Sequence, residues 1–135
     1  MHHRWFWPKA VGVAGLLPAI LLLLSSAGAV AAPERLDCSL TKAEIQSGSQ
    51  SEQVAENRSI IIVFDGQTRA LTVYQDADVQ ALSGVTITQS SMSGAVGEIM
   101  LGIDRSSWGI VFQTYGSDSM RAEFGECNLS AEPPP

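Results

Sequence analysis

Apolar and polar residues alternate along the second half of this chain at the two-residue period of half-buried β-strands. Turn-forming residues separate the alternating segments, and Asp65-Gly66 after the first is a typical hairpin signal. This pattern predicts an all-β fold, a small antiparallel meander that forms a barrel or sandwich, within residues 59–129. The segments predicted as strands are 59–64, 70–74, 85–88, 99–103, 108–115 and 121–127.

The flanking segments are polar and show no such alternation over most of their length. Residues 32–58 are rich in Ser, Gln and Glu and are predicted to form a polar N-terminal segment that contains the first cysteine. Within it, Thr41-Lys42-Ala43-Glu44 matches a capping box, which predicts one short helical turn. Residues 130–135 include three prolines and are predicted to be a disordered tail.

The first thirty-one residues have the composition of a secretory signal peptide. A basic start is followed by an apolar run over 10–24, and Ala29-Val30-Ala31 supplies a small-x-small cleavage site. The alternative is an uncleaved membrane anchor, but the run is shorter than the roughly 20 residues that a spanning helix needs, and Pro18 interrupts it. We therefore expect an exported protein, periplasmic or secreted, with no stable membrane insertion after cleavage.

The two cysteines of the chain, Cys38 and Cys127, lie close to the two ends of the exported part. Two cysteines in a small exported domain usually pair, so a disulfide is predicted that brings both ends together. A metal site is the alternative, although two thiolates without a nearby histidine form a poor ligand set.

Composition narrows the possible partners. The part that follows residue 31 contains all fourteen acidic residues but only six of the eight basic ones, a formal charge of −8. Nucleic acid is not expected as a partner, because its phosphates are bound by Lys and Arg. Such a charge favours a cationic protein as partner, although it also serves simply to keep an exported protein soluble.

The same part of the chain contains no histidine, which removes the proton carrier of Ser-His-Asp and Cys-His catalysis. We therefore expect no enzyme activity, no cofactor and no metal. Asp76 and Asp78 resemble part of a calcium loop but lack its glycine and glutamate, so solvated loop acids are the simpler interpretation. The remaining catalytic alternative is a hydrolase that uses a pair of carboxylates across a cleft.

Two short segments contain the candidate binding residues. Asp104, Arg105 and Trp108 lie in one turn between predicted strands, and Arg-Trp pairs are common at binding hot spots. The alternative is a structural turn in which Trp108 anchors the core. Residues 90–94, which include Ser93 and Gly94, are interpreted as either a flexible loop or a binding loop.

Two resemblances accompany these patterns. The segment Gly102-Ile103-Asp104-Arg105-Ser106-Ser107-Trp108, with Gly125-Glu126-Cys127, resembles the ending of small exported bacterial proteins of unknown function. Ser93-Gly94-Ala95-Val96 resembles the start of the Ser-Gly-x-x-Tyr loop of bacterial inhibitors of C-type lysozyme, which are small exported β-barrels. Here Gly97 stands in place of the tyrosine, and the lysine-containing second loop of that family has no counterpart. The resemblance implies a role for Ser93 and Gly94 alone.

Together these observations predict an exported, non-catalytic β-domain that acts by binding or as an envelope component. Inhibition of a cationic cell-wall hydrolase such as lysozyme is the leading specific hypothesis.

Overall fold

Nine antiparallel strands form the whole of the regular structure in residues 32–135, the part of the chain that this computed structural model describes. The predicted signal peptide lies outside the described residues. The strands are β1 (Glu34–Ser47), β2 (Gln50–Asp65), β3 (Ala70–Gln75), β4 (Asp78–Ala81), β5 (Ser83–Ile87), β6 (Ser91–Val96), β7 (Ile99–Asp104), β8 (Gly109–Tyr115) and β9 (Ser119–Ser130).

The strands belong to one sheet in the order β4-β3-β2-β1-β9-β8-β7-β6-β5. Each strand therefore pairs with its neighbours in the chain, except that β1 also pairs with β9 and that β4 and β5 do not pair with each other. The two outer strands are β4 and β5, which only Leu82 separates in the chain, and the Leu82 amide donates to the Leu71 carbonyl over 2.9 Å. The result is a nearly closed up-and-down barrel, which confirms the predicted all-β meander.

Pairing of β1 with β9 brings the two cysteines together. Cys38 lies directly opposite Cys127 in the register, and the two form a disulfide with their Cα atoms 3.9 Å apart. The predicted disulfide and the adjacency of the two ends are both confirmed.

The core lies inside the barrel and consists of the inward-facing residue of each alternating pair. Ile60, Ile62 and Phe64 of β2 are each at most 2% exposed, and Phe112 of β8 is 1% exposed. This alternation is the one that identified the strands in the sequence, since every second residue of a barrel strand points inward.

The segment before residue 59 differs from the prediction. Residues 34–47 and 50–65 form the two longest strands, so the helical turn predicted at Thr41 is wrong. Gly48, with φ of 60°, stands in the hairpin turn that joins them, a position that favours glycine. The polar composition hid a strand whose inward residues Leu36, Cys38 and Leu40 do alternate.

A β-bulge interrupts the pairing of β1 with β9. The register of β1 shifts between Leu40 and Lys42, on both its β2 and β9 sides, so Thr41 forms a β-bulge. Gly125 lies opposite Leu40, and a Cβ atom on it would fall 1.8 Å from the Ser39 carbonyl oxygen. The close approach of the two backbones at this point therefore requires glycine.

After β9, residues 131–135 contain no regular structure. Arg35 of β1 contacts this tail: its Nη1 donates to the Pro133 carbonyl over 3.1 Å, and its Nη2 lies 3.2 Å from Glu132 Oε2. The disorder predicted for residues 130–135 stays a prediction, although Ser130 itself is the last residue of β9.

Candidate functional site

An open trough of about 1230 Å³ lies on the outer face of the sheet, lined by residues of β1, β9, β8, β7 and β6 and by the turns beside them. We call this concavity the outer trough. Its volume exceeds the roughly 300–1,000 Å³ of a typical small-molecule pocket, and it is open to solvent.

The floor of the outer trough changes from large apolar residues to small ones across the sheet. The strand register places Phe124, Val111, Gly102 and Ser93 side by side in one row across four strands. Gly102 has no atom within 4 Å of the position where a Cβ would stand, so the middle of this row is empty space. The trough therefore has an apolar end at Phe124 and a small, hydroxyl-bearing end at Ser93.

A second row carries negative charge. Glu126 of β9 pairs with Gly109 of β8. Asp104 follows Ile103, whose partner is Ile110, and therefore lies beyond Gly109 on the opposite side from Glu126. Strands are spaced about 4.8 Å apart, so the backbones of Asp104 and Glu126 are roughly 10 Å apart across a residue without a side chain.

Asp104 is held in the ionised form by its own turn. Its Oδ1 accepts hydrogen bonds from Ser106 Oγ at 2.6 Å and from the Ser106 amide at 2.8 Å. These bonds, the side-chain one first, hold the pKa of Asp104 below its usual value. Asp104 and Glu126 are both exposed, and neither forms a salt bridge with any residue in the range 32–135. Lys42 is the basic residue among those that line the trough.

The structure separates the five predicted binding residues. Ser93 and Asp104 line the outer trough. Gly94 lies on the inner face, where an added Cβ would stand 3.0 Å from Leu82 Cβ. Arg105 and Trp108 lie at one end of the barrel and do not line the trough.

Arg105 and Trp108 contact each other and the core. The Arg105 guanidinium carbon lies 5.4 Å from the centroid of the Phe64 ring and 6.0 Å from that of Trp108, and its Nη1 donates to the Thr88 carbonyl. The half-buried Trp108 packs against the core with its ring 6.5 Å from Phe64. These contacts correspond to the structural alternative, in which Trp108 anchors the core.

Residues 90–94 do not form the loop that the sequence suggested. Ser91–Val96 is strand β6, in which Met92 is fully buried. The loop interpretation of Ser93 and Gly94 is therefore wrong, because both residues belong to β6 and pair with residues of β7. The role that the resemblance implied for these two residues stays a prediction.

Sequence reasoning missed the glutamate of the second row. Glu126 entered the sequence analysis only as part of Gly125-Glu126-Cys127, a resemblance that implies no activity for it. Only the pairing of β9 with β8 places it opposite Gly109, and only the pairing of β7 with β8 places Asp104 on the other side.

A metal site finds no support in the geometry of residues 32–135: no three His, Cys, Asp or Glu side chains come together there. Asp76 and Asp78 lie at the turn between β3 and β4 and at the start of β4. The same range of residues contains no helix long and apolar enough to cross a membrane.

Comparison with known proteins adds no relative. No protein-family model, no curated protein and no solved structure matches this chain.

Proposed function

We propose that this protein is an exported, non-catalytic binding domain whose outer trough receives a cationic partner protein. The observation that carries the proposal is the pair of exposed carboxylates, Asp104 and Glu126, which lie on either side of Gly109 and form no salt bridge within residues 32–135. A lysine or arginine side chain of a partner can approach both carboxylates, because Gly109 places no side chain between them and the nearest group is the Ser107 hydroxyl, 3.2 Å from where a Cβ on Gly109 would stand.

The size of the trough and the charge of the chain support the same proposal. An open trough that crosses five strands suits the surface of a macromolecule better than an enclosed small ligand. The formal charge of −8 on residues 32–135 steers a cationic protein toward this surface at a distance, and this steering weakens as salt is added.

Within this class, a cationic cell-wall hydrolase such as lysozyme is the partner that we propose first. The proposal is tested by measuring the residual activity of a C-type lysozyme mixed with an equimolar amount of the purified protein, at low and at high salt. We expect inhibition at low salt that salt relieves. Full lysozyme activity at low salt would overturn the proposal for this partner.

Matched variants locate the binding surface. The double variant Asp104→Asn/Glu126→Gln removes both trough carboxylates, and asparagine still accepts the hydrogen bonds of the turn. The control, Glu98→Gln/Asp118→Asn, makes the same change of net charge at exposed positions outside the trough. We expect the first variant to bind at least about tenfold more weakly than the control, the equivalent of about 1.4 kcal/mol. Equal losses in both variants would show that net charge, and not the trough, determines binding.

A carboxylate-pair hydrolase is the second candidate, since the outer trough holds two acids. Such an enzyme needs one carboxyl with a raised pKa as general acid, whereas the turn at Asp104 lowers the pKa of that group. Cell-wall glycan is the substrate to test: release of reducing ends by the wild-type protein, but not by Asp104→Asn, would replace the binding proposal with this one.

A further inference from the structure

Four charged side chains meet on the inner face of the barrel at one end. Glu56 and Arg58 belong to β2, and Arg121 and Glu123 belong to β9. These two strands flank β1, which contributes Ala43 directly opposite Glu123. Because the alanine side chain is small, the charged groups reach each other across β1. We call these four residues the inner charge cluster.

Glu123 is the most deeply buried member, at 3% exposure, and both of its oxygens are bonded to arginine. Arg58 Nε donates to Oε2 over 2.9 Å and Arg58 Nη2 donates to Oε1 over 2.7 Å, a bidentate pair. Arg58 is itself held by Gln75 Oε1 and lies over the Phe112 ring. This arrangement favours an ionised Glu123.

Glu56 has a different environment. Its Oε1 accepts from Arg121 Nη2 over 2.9 Å, but its Oε2 is buried and has no hydrogen-bond partner among the described residues. A buried carboxylate oxygen without a donor is costly, roughly 1–3 kcal/mol or more. A proton on Oε2 would change this oxygen from an unsatisfied acceptor into a donor. The Glu123 carboxylate is the neighbouring acceptor, because the two carboxylates lie beside the same nitrogen: Arg58 Nε is 2.9 Å from Glu123 Oε2 and 3.9 Å from Glu56 Oε1.

The electrostatics of the cluster agree with this geometry. Burial, followed by the hydrogen bond that a protonated Glu56 would donate to Glu123, raises the pKa of Glu56, and Arg121 does not cancel the effect. Burial also acts to raise the pKa of Glu123, but hydrogen bonds from Arg58 and Glu56 and the charges of the two arginines outweigh it, so this pKa is lowered. Beside the cluster, β1 contributes the uncharged Ala43 and Ile45 to the inner face. Asp76, in the turn between β3 and β4, supplies a further negative charge that acts on Arg58.

We propose that Glu56 and Glu123 share one proton in the folded protein and thereby form a proton-binding site that joins β2 to β9 across β1. The site goes beyond the proposed binding function and does not depend on it, because none of its residues lines the outer trough.

A shared proton determines how stability varies with pH. The contribution of Glu56, whose folded pKa is raised, is present below the ordinary value of 4.5 and is lost as pH rises through the raised value. The contribution of Glu123, whose folded pKa is lowered, is present above 4.5 and is lost as pH falls through the lowered value. The cluster is therefore most stabilising at mildly acidic pH, between these two folded values.

The direct test is a titration of the glutamate side-chain carboxyl carbons by NMR in the wild-type protein. We expect one carboxyl to titrate clearly above 4.5 and to disappear from the spectrum of Glu56→Gln, while Glu123 titrates below 4.5. A Glu56 carboxyl that titrates at or below 4.5 would overturn the proposal, and this measurement needs no variant to fold other than the one used for assignment.

Unfolding by denaturant provides the second test. Wild-type stability should decrease as pH rises from mildly acidic to neutral, and Glu56→Gln should abolish this decrease, because its amide donates to Glu123 without a charge at any pH. The control Glu52→Gln, an exposed position on the same strand, should keep the wild-type profile. A Glu56→Gln variant that keeps the wild-type slope would contradict the shared proton.

Discussion

Replacing Gly125 by alanine is the sharpest test of the close backbone contact between β1 and β9. The added Cβ would lie 1.8 Å from the Ser39 carbonyl oxygen, 2.7 Å from the Ser39 carbonyl carbon and 2.8 Å from Leu40 Cα. All three atoms belong to the backbone, so no side-chain rotation relieves the overlap. Since Cβ contacts stay above 3.0 Å, the two backbones must separate locally by about 1.2 Å.

The structure makes that separation expensive. The disulfide ties the same two strands two residues away, at Cys38 and Cys127, and the bulge at Thr41 already adapts β1 to this contact. Overpacking costs about 1–3 kcal/mol where a core can adjust, and the loss of neighbouring strand hydrogen bonds adds about 1 kcal/mol each. We expect Gly125→Ala to lower the free energy of unfolding by about 3–5 kcal/mol, which corresponds to at least about 12 °C in Tm for a domain of this size.

The assay compares thermal and urea unfolding of the oxidised variants by circular dichroism. The matched control is Gly102→Ala, also a glycine within a strand, where a Cβ would meet nothing within 4 Å. We expect this control to change stability by no more than about 1 kcal/mol, in either direction. If Gly125→Ala is also within about 1 kcal/mol of wild type, the backbone contact between β1 and β9 does not require glycine at this position and the reasoning fails.

Three further outcomes test other parts of the fold. Replacing Cys38 and Cys127 together by serine should lower the free energy of unfolding by about 4–5 kcal/mol in the chain-entropy model, because the disulfide closes a sequence separation of 89 residues. An unchanged urea midpoint would show that the disulfide does not stabilise the fold in this way. Phe112→Ala should cost about 3–5 kcal/mol, since this side chain is 1% exposed, whereas Phe112→Leu should cost much less in the same urea series. Glu123→Gln should lower the free energy of unfolding at neutral pH by about 2 kcal/mol, because Arg58 loses its bidentate partner. The variant should also lose less stability than wild type below pH 4.5, because the group with the lowered pKa is gone. An equal decrease in stability at all pH values would contradict the lowered pKa of Glu123.

The strands that could be found from sequence are those whose inward residues are large and apolar. In β7 and β8, Leu101, Ile103, Ile110 and Phe112 occupy every second position and point into the core. β6 was not predicted as a strand, because its inward positions include a glycine among serines and such a composition resembles a loop. The alternation is visible only where the inward face is filled by side chains of apolar character.

The first half of β2 shows a different reason for failure. Its inward positions carry Glu56 and Arg58, because at this end of the barrel the space is filled by paired charges instead of apolar groups. Their partners Arg121 and Glu123 are 65 residues away, and no local pattern announces such a pair. The sequence pattern therefore places the polar residues of this part of β2 outside the predicted sheet, although they belong to it.

The sequence by itself determined the strand-forming class of the chain, its disulfide and the absence of histidine from residues 32–135, because these depend on local periodicity and on composition. The tertiary structure decided which residues are neighbours in space. Asp104 and Glu126 face each other across Gly109 because β8 separates their strands, and Glu56 meets Glu123 because Ala43 of β1 is small. Both arrangements depend on strand order and register, which long-range pairing establishes and short-range sequence patterns do not contain.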